Sequence, residues 1–327
     1  MKTQKVIIYS DYEHSSCSHW RSTGVWNELS KLGLVEIGIG SWNDTWVLLR
    51  QYDIAFFQRP MSSMCLDQIL MAKDLGLKVI IDLDDYNKIP ETHPIYSEYK
   101  EHYDEKSFTK IMMVADIVTV STEYLKTHYL QYSNNVVVVK NALNDYWLKF
   151  RKFKTGKNIF LRAGDHREQD IYDYKDSIIE VMNDNPDWKL ITCGSNPIFL
   201  QREIENYSYV GDHNIHNYFA LILQLNISIF ILPLQRNELN YGKSDIGWQE
   251  ATLSGSVALT PVWWDHLDEC SLHYNDNDSF YENLTKLIDD EKLRKELYDK
   301  SYIRVQEEHL LSKVNDQRIE IVKKLMK

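Results

Sequence analysis

Several strand-like runs are apolar at consecutive positions rather than alternate ones: "KVIIYS" (5–10), "YDIAFFQR" (52–59), "LKVIIDLDD" (77–85), "DIVTVS" (116–121) and "NVVVVKNAL" (135–143). A strand apolar on both sides is buried on both sides, the condition of a parallel sheet covered by helices. Helix-like segments stand between the runs: "RSTGVWNELSKLG" (21–33), one at 44–51, "LDQILMAKDLG", one around "KSFTKIMMVA", and "TEYLKTHYLQ". Alternation of this kind reads as a doubly wound α/β layer. After "NDYWLKFRKFKTGK" (144–157) the rhythm restarts. "NIFLRAGD", a helix at 172–184, "WKLITCGS", "YSYVGD", a helix at 215–225, "ISIFILPL", a helix at 244–254, "VALTPV" and two closing helices (277–298 and roughly 300–327) follow. The chain therefore reads as α/β with two Rossmann-like domains and a ligand cleft between them. The expected bounds are 1–145, 146–305, and a last helix, 306–327, packing back on the first domain.

With 327 residues, 43% of them apolar, the chain is large enough for two cores. The four cysteines, Cys17, Cys65, Cys193 and Cys270, have no CxxC or zinc-type spacing, which points to a reducing compartment. The first apolar run is too short for a signal peptide. The greasiest stretch (218–234) is interrupted by Gln224, Asn226 and Ser228 and reaches Pro233, so it reads as a helix followed by a buried strand. The expectation is a soluble, cytoplasmic protein without a membrane span. The net charge of −11 is spread over both halves, which counts against nonspecific nucleic-acid binding as the main activity. Lys149, Arg151, Lys152, Lys154 and Lys157 form the one local basic run. Oligomeric state is not readable.

Ligands of open α/β sheets bind beyond the carboxyl ends of the strands, and five such places carry polar residues. The loop "SDYEHSSCSHWRSTG" offers Ser16, His19 and Arg21 near the start of a helix, where free N–H groups bind an anion or a hydroxylated substrate; helix capping is the structural alternative. "IDLDDYNKIP" clusters Asp82, Asp84 and Asp85, and like charges this close call for a cation or a hydroxyl-rich ligand. Strand alternation puts Asp82 and Asp84 on one side and Asp85 on the other. A magnesium ion, sugar hydroxyls and a general-base role all remain open there, and no metal is assigned. "FLRAGDHREQD" sets Arg162, His166 and Arg167 after a strand, suited to a diphosphate, with ion pairing to Glu168 or Asp170 as the competitor. "CGSNP" is a small-residue turn. "NYGKSDIGWQEATLSG" places Lys243 and Ser244, the expected N-cap, ahead of Glu250, whose carboxylate can accept two ribose hydroxyls.

Taken in order, these passages resemble the retaining, nucleotide-sugar-dependent glycosyltransferases of GT-B fold, of the family 4-like kind. "ADIVTVSTEYLKTHY…NNVVVVKNALN" (115–144) is similar to the passage that closes the family's N-terminal domain, and "FLRAGDHREQD" to the phosphate-contacting loop of its C-terminal domain. "GKSDIGWQEATLSGSVALTP" is similar to the family's K-x-x-x-x-E-A-x-A-x-G-x-P pattern, and "DSFYENLTKLIDDEKLRKELYDKS" (278–301) to its closing helices. The resemblance implies donor binding by Arg162, His166, Arg167, Lys243, Ser244 and Glu250, with Asp84 and Asp85 at the reacting end and Ser16, His19 and Arg21 on the acceptor side. It implies a nucleoside diphosphate sugar, UDP-linked, transferred with retention to a hydroxyl acceptor. The sequence departs from the family at Gly242, where a partner glutamate is usual, and at "DLDD", where many relatives carry a histidine. Such variants look most like a divergent, often phage-encoded branch, some members of which modify hydroxymethylated DNA. A glycan acceptor, a non-catalytic nucleotide-sugar-binding protein, and an epimerase using Asp84, Asp85 and His213 stay open as alternatives.

Overall fold

A computed structural model of the chain describes residues 3–10, 15–164 and 167–327. It comprises two compact units: Met1–Asn141, Tyr241–Ser244 and Leu311–Lys327 form the first, Ala142–Asn240 and Asp245–Leu310 the second. The first unit is built on β1 (Gln4–Tyr9), β2 (Val35–Ile39), β3 (Ile54–Gln58), β4 (Lys78–Leu83), β5 (Ile117–Val120) and β6 (Val136–Val138). All pair in parallel in the order β2-β1-β3-β4-β5-β6, so the winding reverses between β1 and β3. The apolar runs explain the layering: Phe57, Val79, Ile81 and Val118 point into a core shared with Leu66, Ile69, Phe108 and Ile111 of two helices.

The second unit repeats the plan with β7 (Asn158–Ala163), β8 (Lys189–Gly194), β9 (Tyr207–Tyr209), β10 (Ile229–Ile231), β11 (Val257–Pro261) and β12 (Leu272–Tyr274). Its order, β9-β8-β7-β10-β11-β12, is that of a dinucleotide-binding Rossmann sheet, and its winding reverses between β7 and β10, where Ile159 pairs Ile229. Leu161, Ile231 and Leu259 of the strands meet Ile178, Phe280 and Leu284 of the helices in one core.

Several elements differ from the sequence reading, among them short helices at Tyr96–His102 and Ile198–Glu203 that it lacked. The helix expected at 21–33 is two helices, Ser16–Arg21 and Thr23–Lys31, because Ser22 (φ −123°, ψ −99°) leaves helical geometry; Ser15 caps the first through Ser18 N. The short edge strand β12 was not expected, since "LHY" has no apolar run to announce it. The closing segment is three helices, Asn277–Asp289, Glu291–Glu308 and Leu311–Leu325, broken at Asp290, whose side chain caps the second helix through Leu293 N. Among the described residues no helix is long and apolar enough to cross a membrane.

The helix Ile246–Ser254 stops at Gly255, which sits in the left-handed region at φ 88° with its N–H returned to the last turn. A Cβ there would lie 1.8 Å from the backbone oxygen of Lys152, a contact that only main-chain movement relieves. Gly255→Ala is therefore expected to cost about 2 kcal/mol or more, read as a lower urea midpoint with an unchanged m-value.

Candidate functional site

At the winding reversal of the first unit, the end of β1 meets the end of β3 through hydroxyls. Ser10 Oγ and Ser22 Oγ both donate to Gln58 Oε1, at 2.8 and 2.7 Å, and Ser10 Oγ lies 2.5 Å from Ser18 Oγ. Ser16 is exposed on the short helix and His19 half-buried, its ring 5.6 Å edge-on from Trp20. Arg21 turns inward from the same helix and is 1% exposed. Its Nε and Nη2 donate to the two oxygens of Asp82 at 3.0 and 2.7 Å, and its Nη1 donates to Val139 O at 2.5 Å and Asn141 Oδ1 at 3.1 Å. Burial alone would weaken the guanidinium's hold on its proton, but the Asp82 charge outweighs it and raises Arg21 above the ordinary arginine range.

The three aspartates divide differently from the strand-alternation reading. Asp82, still in β4, is spent on Arg21 and on Thr119 Oγ1, 2.6 Å away. The strand ends at Leu83, so alternation no longer applies, and Asp84 and Asp85 share one partner that sequence reasoning missed. Arg59 donates from Nε to Asp84 Oδ1 at 2.5 Å and from Nη2 to Asp85 Oδ2 at 2.7 Å. Lys243 Nζ pairs with the other oxygen of Asp85, while Tyr129 OH holds the Asp85 carbonyl at 2.7 Å. Arg59 sits at φ 49°, the one non-glycine among the described residues in left-handed backbone, immediately after β3. Such strain persists where the surroundings fix it, and it gathers at functional sites. The signal for Arg59 was present only as a charged residue directly after a buried strand, before Pro60. Cys17 lies near this cluster; the Arg59 charge pulls its thiol down, but burial, Asp84 and Asp85 together push it up, so it is no ready thiolate.

In the second unit the reversal between β7 and β10 carries Arg162. Its Nε bonds to Glu250 Oε2 and its Nη2 to Oε1 at 3.3 Å, and Tyr218 OH donates to Oε2 at 2.8 Å. The Glu250 side chain is 1% exposed and that of Arg162 36%. Burial works against the Arg162 charge and Glu250 more than restores it, raising the group above its ordinary range; burial and the Glu250 charge push the Tyr218 phenol well up. Gly247 makes room: a Cβ there would come 2.7 Å from Leu232 Cδ2 and 3.3 Å from Arg162 Cδ.

The remaining sequence-derived residues are placed as follows. Arg167 Nη1 donates to Asp170 Oδ2 at 2.6 Å and Asn240 Oδ1 at 2.8 Å, the ion pair named as the competitor to phosphate binding. His166 lies outside the described residues. Ser244 is not the N-cap: the helix begins one residue later than that reading requires, with Asp245 at the cap position, and Asn141 Nδ2 donates to Ser244 Oγ at 2.7 Å. Asp245 makes no side-chain cap bond and instead accepts from Gln249 Nε2 at 2.9 Å and lies 3.1 Å from His266 Nε2. His213 Nε2 is 2.9 Å from the Val210 carbonyl. Among the described residues no group of three or more His, Cys, Asp or Glu side chains is placed to hold a metal ion.

Solved structures share this architecture along nearly the whole chain. Sucrose-phosphate synthase from Thermosynechococcus elongatus superposes with a TM-score of 0.72 at 13% identity, covering 99% of each chain. The Anabaena protein HepE, solved with UDP and glucose, gives 0.69 at 10% identity over 98% of this chain and 100% of its own. The fold is GT-B. A glycosyltransferase from Rickettsia africae shares this GT-B fold at a TM-score of 0.66 and 12% identity, covering all of both chains. No protein-family model and no curated protein matches the sequence.

Within this GT-B chain, the pair Arg21–Asp82 is buried deeply enough for its energetics to be separated by mutation. Removing one member of such a pair strands the other charge, whereas replacing both with apolar groups does not. Arg21→Met is expected to cost about 3–5 kcal/mol, and Arg21→Met with Asp82→Leu to recover most of that loss, as measured by a double-mutant cycle in urea.

Proposed function

We propose that the protein is a nucleotide-sugar-dependent glycosyltransferase whose second unit binds the donor. The observation that carries this is Arg162, placed at the winding reversal of a Rossmann sheet with its side chain partly exposed and its charge fixed by Glu250, which Tyr218 also holds. A pre-oriented guanidinium suits a diphosphate, which gains negative charge as the bond to the sugar breaks. HepE, solved with UDP and glucose, supports a uridine nucleotide sugar as the donor class. Lys243 and Ser244, read from the sequence as donor residues, lie in the first unit, and Lys243 is balanced by Asp85, so an anion that takes it exchanges one counter-charge for another. Glu250 keeps its donor-side assignment through Arg162, which it orients with both carboxylate oxygens. Arg167 and His166 complete the donor-side assignment.

In the reaction the anomeric carbon loses its bond to the diphosphate oxygen and gains one to the acceptor oxygen, whose proton passes to a base. Asp84 and Asp85 are assigned to sugar or acceptor hydroxyls, and either can take that proton once Arg59 yields an oxygen. Ser16 and His19 are the accessible acceptor-side residues; Arg21 acts from beneath, by holding Asp82 and the segment after β6. Retention of configuration rests on the sequence resemblance alone. So does hydroxymethylated DNA as acceptor, and the basic run weighs against it: Lys154 is bonded to main-chain carbonyls at the end of the helix Ile215–Gln224, Arg151 is stacked on Tyr302 and Lys157 is paired with Asp187.

Arg162→Ala is expected to weaken UDP binding about 10- to 100-fold, the scale of a charge-assisted bond or two, and Glu250→Ala to follow it in direction. Calorimetry with UDP, together with mass spectrometry of products from mixed UDP-sugars offered hydroxymethylated DNA, plain DNA or a glycan, tests the reading. Saturable binding without sugar release or transfer would identify a binding protein instead, and absence of any nucleotide binding would sink the assignment of Arg162.

A further inference from the structure

Arg318, on the helix Leu311–Leu325 of the first unit, is 6% exposed. Its Nη1 donates to Asn315 Oδ1 at 3.0 Å, but its Nη2 is buried without a hydrogen-bond partner. Trp26, 2% exposed on the helix Thr23–Lys31, has its Nε1–H in the same condition. Both side chains line one small cavity, which Phe56, Asp82, Thr119 and Val139 help to close. The room inside is small enough to limit it to a single small occupant.

The charges around this cavity do not balance. Asp82 is its acid, but Oδ2 of that carboxylate takes Arg21 Nε, and Oδ1 takes Arg21 Nη2 and Thr119 Oγ1. Arg318 has no carboxylate within ion-pair distance among the described residues, and the groups that act on it electrostatically are Arg21, which repels, and Asp82. Burial first and then the Arg21 charge lower Arg318 to about 9, so it is still a cation at neutral pH. A buried cation left uncompensated is costly, and buried polar groups without partners are rare.

We propose that the cavity holds one monatomic anion of the halide class, chloride under ordinary conditions, accepting hydrogen bonds from Arg318 Nη2 and Trp26 Nε1. A water could accept the same two bonds, but it would leave the positive charge in place; a halide answers both demands. The anion would tie the helix Leu311–Leu325 to the sheet of its unit, so the site is structural and independent of the proposed transfer reaction.

Crystals of the full chain grown with bromide at about 50–100 mM give the deciding measurement. The expected result is an anomalous peak in contact with both nitrogens. In solution, at constant ionic strength, replacing gluconate by chloride is expected to raise Tm saturably, by on the order of 3 °C at ten times the dissociation constant. Trp26→Phe should lower the bromide occupancy and shrink that rise, and Arg318→Met should abolish it. If Arg318→Met does not fold, bromide density and the Trp26→Phe comparison still decide. A water in place of bromide overturns the proposal, as does density seen only at molar bromide with identical Tm in chloride and gluconate, which marks an adventitious ion only.

Discussion

A carboxylate at the end of a buried parallel strand must be met by a cation, and the pair Arg21–Asp82 is where the first unit meets that demand. One guanidinium reaches the end of β4 through Asp82, the chain after β6 through Val139 O, and Asn141 beyond it. Since Asp82 also takes Thr119 of β5, three neighbouring segments of the sheet, β4, β5 and the chain just after β6, are fixed relative to a helix that begins at the winding reversal. The polar residues beyond the strand ends, Ser10, Gln58, Arg59, Asp84 and Asp85, therefore stand on a frame whose own ionic demands are satisfied beneath them. The pair adds little net stability on the usual balance of desolvation against attraction; its contribution is to specify one arrangement.

The fold class was legible because its signal is physical and repeated. Runs such as "KVIIDL" and "NIFL" are apolar on both faces, and only a doubly covered parallel sheet accommodates that twice in succession. Short or irregular pieces were not legible. β12 has three residues at a sheet edge, where little burial is needed, and the short helix before Ser22, "SCSHWR", is too polar to stand out from the loop it follows.

The candidate site was legible as a set of places and not as a set of pairings. Scanning the residues after each strand finds Arg162, Lys243, Asp84 and Asp85, because the topology dictates where polar groups gather. Which cation meets which carboxylate depends on strand order and on where a strand stops. Gln58 lies opposite Asp82 only because β3 and β4 are neighbours, and Arg59 reaches Asp84 and Asp85 only from the backbone conformation it adopts one residue later. Tyr218 was missed for a related reason: it sits in an apolar helical segment, "YFALIL", and its hydroxyl matters only through a glutamate 32 positions away.

The two charge clusters answer an incoming anion differently. In the second unit Arg162 and Glu250 form one pair in which the carboxylate is fully buried and the arginine side chain partly exposed, so under the proposed function a phosphate oxygen meets the guanidinium while the carboxylate keeps it in place. In the first, Arg59 and Lys243 face Asp84 and Asp85, two charges against two, and every carboxylate holds a cation directly. An anion there gains Lys243 only by releasing Asp85, which costs about as much as it returns, while a neutral hydroxyl can accept or donate without breaking the balance. Under the proposed function the charge balance within each unit therefore suits Arg162 to the diphosphate and the Asp84–Asp85 cluster to sugar or acceptor hydroxyls.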